Sequence, residues 1–179
     1  MATTMKLIGK QTLTGNATDV TFSDIPGTGY TDLYLVFSAR QDSNDGSASP
    51  TFMRFNGNSA NYSNRELEAQ GSVASYTNLY NVTSASFVAQ TPSASQTSNT
   101  FGNCEIYIPN YAGSTNKSFS VTGVSENNAS TSLTWYVQVL AGLWSNTAAI
   151  TSITIYAGNI GVRNFVSGSS FFLYGITKA

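Results

Sequence analysis

The sequence predicts an all-β fold: a two-sheet antiparallel sandwich, of jelly-roll type, forming a single domain over residues 1–179. Three observations lead there. Several segments alternate apolar and polar side chains with a period of two, as a strand with two unlike faces requires. Clusters of Gly, Pro, Asn, Asp and Ser punctuate these segments at short intervals, giving about ten short strands. No segment carries a convincing helical stripe.

Residues 5–13 and 17–22 read as two strands around Gly15-Asn16, a hairpin signal. Pro26-Gly27-Thr28-Gly29 is a turn. Segment 32–40 (DLYLVFSAR) sets Leu33, Leu35 and Phe37 against Tyr34, Val36 and Ser38. Apolar on nearly both faces, it is expected at the centre of a sheet. Segment 41–50 (QDSNDGSASP) is a loop, and 51–56 is a short strand closed by Asn56-Gly57-Asn58. Residues 61–64 read as irregular. Residues 65–70 have the propensity for one helical turn, but Gly71 and Ser72 favour a strand that runs to Val73 or Ser75. Residues 78–89 alternate less regularly. Segment 90–99 (QTPSASQTSN) is expected to be an exposed loop at the domain edge.

The densest strand patterning lies in 100–155. Cys104, Ile106 and Ile108 alternate with Asn103, Glu105 and Tyr107, and Pro109-Asn110-Tyr111-Ala112-Gly113 stops that strand. Phe119, Val121 and Gly123 restart it, and Asn127-Asn128 turns the chain. In 133–143 the row Leu133, Trp135, Val137, Val139, Ala141 and Leu143 is expected to be buried. The opposite row, Thr134, Tyr136, Gln138, Leu140, Gly142 and Trp144, is expected to face a partner. Ile153 and Ile155 mark a further strand, Gly158-Asn159 a turn, 162–166 a short strand, and 171–176 (FFLYGI) a strand buried on both faces. The predicted core comprises Leu35, Ile106, Trp135, Val137, Val139, Ile153, Ile155 and Leu173.

Composition narrows the functional classes. Charged residues make up 9% of the chain, against about 25% in ordinary soluble proteins; Ser, Thr and Asn, about a third of the residues, take their place. The net charge is −1 and no basic cluster exists to neutralise phosphates, which argues against nucleic acid as a partner. Little charge repulsion separates copies, so a homo-oligomer is expected. The single cysteine, Cys104, allows no internal disulfide and reads as a small buried hydrophobe. The N-terminal MATTMKLIGKQTLTG lacks a signal-peptide core, and no apolar run is long enough to span a membrane. Assembly in a cytoplasm is the expectation.

Catalytic chemistry is sparse. Without histidine, no Ser-His-Asp or Cys-His arrangement is possible within the chain. Glu66, Glu68, Glu105 and Glu126 leave a paired-carboxylate site conceivable; Glu66 and Glu68 share a strand face and read as a solvated edge. Asp42-Ser43-Asn44-Asp45-Gly46 has the look of a calcium loop, but its glycine falls one position early and Phe52 stands where a bidentate Glu is needed, so it reads as a turn. No catalytic, metal or cofactor site is expected. The aromatics Tyr107, Tyr111, Tyr136 and Trp144 are the candidate contact residues, for a subunit interface or a glycan.

The segments FGNCEIYIPNYAGSTNKSFSVTGVSENNA (101–129), AGLWSNTAAITSITI (141–155) and FFLYGI (171–176) resemble a family of small virion proteins of tailed bacteriophages. FSDIPGTGYTDLYLVFSAR and RFNGNSANYS add to the likeness, which covers most of the chain outside 65–99. The resemblance implies a β-sandwich in the virion. It suggests a structural, non-enzymatic role as a capsid decoration (cement) protein, bound to the major capsid protein or other virion proteins as a homotrimer. The stand-alone length favours this over a fibre protein. A tail or head-fibre adhesin that binds host glycans is the alternative.

Overall fold

The computed structural model describes residues 4–44, 46–70, 73–82, 86–128, 135–158 and 162–177. Twelve strands follow one another: β1 (Met5–Thr12), β2 (Asp19–Phe22), β3 (Asp32–Ala39), β4 (Ser49–Phe55), β5 (Tyr62–Gln70), β6 (Val73–Val82), β7 (Ser86–Thr91), β8 (Gly102–Ile108), β9 (Lys117–Ser125), β10 (Tyr136–Trp144), β11 (Ile153–Ala157) and β12 (Ser170–Ile176). Among the described residues there is no helix. An eight-stranded sheet has the order β1-β12-β3-β8-β9-β10-β5-β6, and a four-stranded sheet the order β2-β11-β4-β7. All pairings are antiparallel.

The two sheets share one core. Leu33, Leu35 and Phe37 of β3, Cys104, Ile106 and Ile108 of β8, and Phe171 and Leu173 of β12 meet Met53, Phe55, Ile153 and Ile155 of the small sheet. Each fully buried side chain of this size contributes about 1.5–3 kcal/mol. One corner is aromatic: Phe55 lies 5.6 Å from Phe119 and 5.7 Å from Trp144, and Trp144 stacks on Tyr62. β3 sits centrally between β12 and β8, as its two-faced apolar pattern predicts. Five members of the predicted core, Leu35, Ile106, Ile153, Ile155 and Leu173, are buried.

Several segments depart from the sequence-based expectation. Strands β1 and β2 are not a hairpin: β1 pairs with β12 in the large sheet and β2 with β11 in the small one. The chain around Gly15-Asn16 crosses the sandwich edge instead, held by Leu13 N–H to Ser169 O and by mutual bonds between Ala17 and Phe165. β5 begins at Tyr62, within the stretch read as irregular, and stops at Gln70 rather than running on to Val73. Asn56 and Gly57, both at positive φ, turn the chain from β4 toward it. Segment 162–166 forms no strand; buried Phe165 makes isolated bridges to Ala17 and Gln41.

The parity of β10 is opposite to the expected one. Tyr136, Gln138, Leu140, Gly142 and Trp144 point into the sandwich, whereas Val137 and Val139 are 48% and 54% exposed. Trp135 is half-buried, and Leu133 and Thr134 lie outside the described residues. The inner row is tolerable because each member has a local solution. Gly142 leaves room for the Phe119 ring, Gln138 is hydrogen-bonded at both ends, and Trp144 fills the aromatic corner.

Segment 90–99 is anchored rather than free. Thr91, Pro92, Ser93 and Gln96 are buried. The Arg40 guanidinium donates to the carbonyls of Gln96, Thr97 and Thr100 at 2.8–3.0 Å. A buried cation solvated by backbone carbonyls orders a loop that composition alone makes look mobile. Lys117 does the same for the β8–β9 connection: its Nζ donates to Gly113 O at 2.6 Å and to Thr115 O, and burial lowers its pKa.

Candidate functional site: the open face of the large sheet

The small sheet covers the inner face of the large one only in part, and no described strand covers the outer face. Strand pairing fixes what that outer face displays. One row runs Phe172, Val36, Glu105, Thr122, Val139, Leu67, Tyr76 across β12, β3, β8, β9, β10, β5 and β6. A neighbouring row begins Tyr174, Tyr34, Tyr107, Ser120. The face therefore has two ends of different chemistry.

The β12–β3–β8 end is aromatic with anchored hydroxyls. Tyr34 Oη donates to Glu105 Oε2 at 2.7 Å, and Tyr107 Oη to Asp32 Oδ2 at 3.1 Å. Asp32 Oδ1 also accepts from the Asn110 N–H. Burial, then the Glu105 hydrogen bond and charge, push the Tyr34 phenol up to about 12. Burial and Asp32 likewise raise Tyr107. Both phenols are thus neutral donors with tethered hydroxyls, and a groove on the same strands is lined by Val36, Ser38, Asn103, Glu105, Ser170 and Phe172.

The β10–β5–β6 end is apolar. Leu67 is 60% and Tyr76 78% exposed, next to Val137 and Val139. A groove between them is lined by Leu67, Glu68, Ala69, Ala74, Val137 and Val139. Exposed apolar residues grouped in this way make the end a candidate interaction surface.

On the inner side, where the large sheet extends past the small one, Glu66 and Glu68 come together. Gln138 Nε2 donates to Glu66 Oε1 at 2.6 Å and to Glu68 Oε2 at 3.0 Å, while Gln138 Oε1 accepts from the Gln90 N–H at 2.7 Å. Burial and the adjacent Glu68 charge raise the Glu66 carboxyl to about 7. This pair is not the solvated edge expected from sequence: β5 lies between β10 and β6. One carboxyl near neutrality is poised for proton transfer. Both carboxyls, however, hold the same amide, which fills the space a scissile bond between them would need.

Of the four candidate aromatics, only Tyr107 belongs to the open face, at 37% exposure. Tyr111, Tyr136 and Trp144 are buried and serve the fold. Tyr111 Oη donates to Pro26 O, Tyr136 Oη accepts from Gln70 Nε2, and Trp144 packs on Phe55 and Tyr62. A surface platform made from all four does not exist. The aromatics it lacked are Tyr34, Phe172 and Tyr174. Their signal was present in the apolar second faces of β3 and β12, which looked like burial on both sides. In the possible calcium loop, Asp42 accepts from Asn164 N–H and Nδ2 at 2.9 and 2.6 Å, so its carboxylate serves the fold; Asp45 lies outside the described residues. Cys104 is buried and its thiol pKa is raised well above the usual value by burial.

No protein-family model matches the chain, and no curated protein matches it.

Proposed function

We propose that the chain is a non-enzymatic structural protein of a tailed-bacteriophage virion, a decoration protein of jelly-roll type. In this reading it sits on the capsid surface as a homo-oligomer in contact with the major capsid protein. The observation that carries the reading is the outward apolar end of the large sheet, Leu67, Tyr76, Val137 and Val139, which leaves more apolar surface than one sandwich core consumes. A polar, nearly uncharged exterior suits a protein that packs against many copies of itself and of a shell. The lack of histidine and the engagement of Glu66 and Glu68 by Gln138 favour a structural role over turnover. Assembly then takes place in the host bacterial cytoplasm, with neither nucleic acid nor membrane as partner. Imaging of the particle tests this: hundreds of copies at lattice positions are expected, and absence from the particle contradicts it.

A second reading, a fibre module that binds host glycans, is favoured by the Tyr174–Tyr34–Tyr107 row. Neighbouring tyrosines on one sheet face, two of them with tethered hydroxyls, offer the aromatic surface that sugar stacking uses. Few copies at fibre tips, with glycan binding lost in Tyr34→Ala, is the outcome that would replace the first reading by this one.

A further inference from the structure

We propose that β6 is the edge along which a second copy of this chain adds, strand against strand, antiparallel about a two-fold axis. The two sheets have four edges, β1, β6, β2 and β7. An edge offers unpaired N–H and C=O groups, and proteins that stay apart blunt it with charge, proline, bulges or short length. Three of the edges here are blunted. β1 carries Lys6 and Lys10 and shifts register between Leu7 and Gly9. β2 has only four residues and begins with Asp19. β7 has six residues and pairs with β4 across a register shift.

β6 has none of these devices along its first half. It is ten residues long, VASYTNLYNV, without a charged residue or proline. Every residue from Val73 to Asn78 is exposed, so both sheet faces are open there as well as the edge. The irregularity in its pairing with β5 lies at the far end, opposite Tyr62–Asn64.

The chemistry of this edge fits its own copy. A two-fold contact sets residues near the axis against themselves, so a charge there would meet its like at cross-strand distance. β6 holds no charge to do so, while Val73 and Tyr76 are of the β-branched and aromatic types that pair well across strands. The surface is continuous as well. Tyr76 ends the apolar run that comes from Val139 through Leu67. Joining two copies at β6 carries that run from one large sheet into the next and covers Tyr76 on its open side. A closed two-fold contact gives a dimer, in place of the trimer expected from threefold lattice sites. The inference uses the apolar end of the open face and does not need the virion reading.

Sedimentation and light scattering of the full chain across micromolar concentrations test it. The expected mass is twice 19.0 kDa. Tyr76→Lys and Thr77→Lys, on opposite faces of β6 and both exposed, are each expected to raise the dissociation constant at least about tenfold. The circular dichroism of dilute samples should stay that of the parent. Amide exchange over 73–82 should slow with concentration in the parent but not in the variants. A mass of 19.0 kDa throughout overturns the proposal, as does a trimer. So does a dimer whose mass and β6 exchange ignore both lysines. A dimer absent from phage particles would contradict the virion reading and leave this one standing.

Discussion

Replacing Gly142 by alanine tests which way β10 faces. Gly142 pairs with Phe119 of β9, and a Cβ built on it would lie 2.1 and 2.2 Å from Phe119 Cζ and Cε2. Ordinary carbon contacts begin near 3.5 Å, so the ring must retreat by more than about 1 Å. It retreats toward Phe55, 5.6 Å away edge to face, which is itself packed on Trp144 and Tyr62. Overpacking of a well-filled core costs typically about 1–3 kcal/mol, and the rigid ring cluster puts Gly142→Ala at the upper end. For a chain of this size that is a fall in Tm of about 6–12 °C. In a Phe119→Leu background the clash is relieved, and the double-mutant cycle should show a coupling of at least about 1 kcal/mol. Thermal and urea unfolding of the four proteins is the assay. If β10 faced the other way, Gly142 would be solvent-exposed and alanine would stabilise by about 0.5–1 kcal/mol. A stabilised Gly142→Ala, or a cycle without coupling, would refute the assignment.

Other outcomes follow from the same geometry. Val137→Asp should leave unfolding within about 0.5 kcal/mol of the parent, whereas Leu140→Asp, on the opposite face of the same strand and buried, should yield no soluble folded protein; comparing their yields and urea midpoints checks both. Glu66 holds its proton up to about pH 7 when folded and releases it near the ordinary carboxylate value of 4.5 when unfolded. The native state therefore binds the extra proton between those values, so its contribution to stability is full below the lower one and falls as pH rises through the upper. Urea midpoints should decline over that window in the parent, and the decline should be shallower in Glu66→Gln. Arg40→Ala removes the bonds to the carbonyls of Gln96, Thr97 and Thr100. A broad-specificity protease should then make its first cut within 92–100, a stretch it spares in the parent.

Much of the fold was legible because strands announce themselves locally. β3, β8, β9 and β12 follow their period-two patterns, and Asn56-Gly57 turns where its dihedral preference requires. What failed were readings that depend on distant partners. Periodicity shows that β10 has two faces but not which is inside. Val137 and Val139 look more like core than Gln138 and Gly142 until Phe119, Glu66 and Glu68 are brought alongside. Gly15-Asn16 has hairpin chemistry, yet β12 and β11 outcompete the local pairing of β1 with β2. Polar composition made 90–99 look free because nothing nearby in sequence reveals that Arg40 reaches it. The open face was half visible. Apolar residues on both faces of β3 and β12 read as burial on both sides, whereas no described strand covers the sheet face that carries Tyr34, Phe172 and Tyr174.

If the proposed virion role holds, assembly covers the β10–β5–β6 end of that face, and hydroxyl-radical footprinting of the monomeric chain and of purified phage particles tests this most directly. Leu67, Tyr76, Val137 and Val139 should label strongly in the chain diluted to the monomer and lose most of that labelling in the particle. Tyr111 and Trp144, buried in the chain itself, should stay dark in both. Equal labelling of Tyr76 and Val139 in the two states would contradict an assembly role for this face.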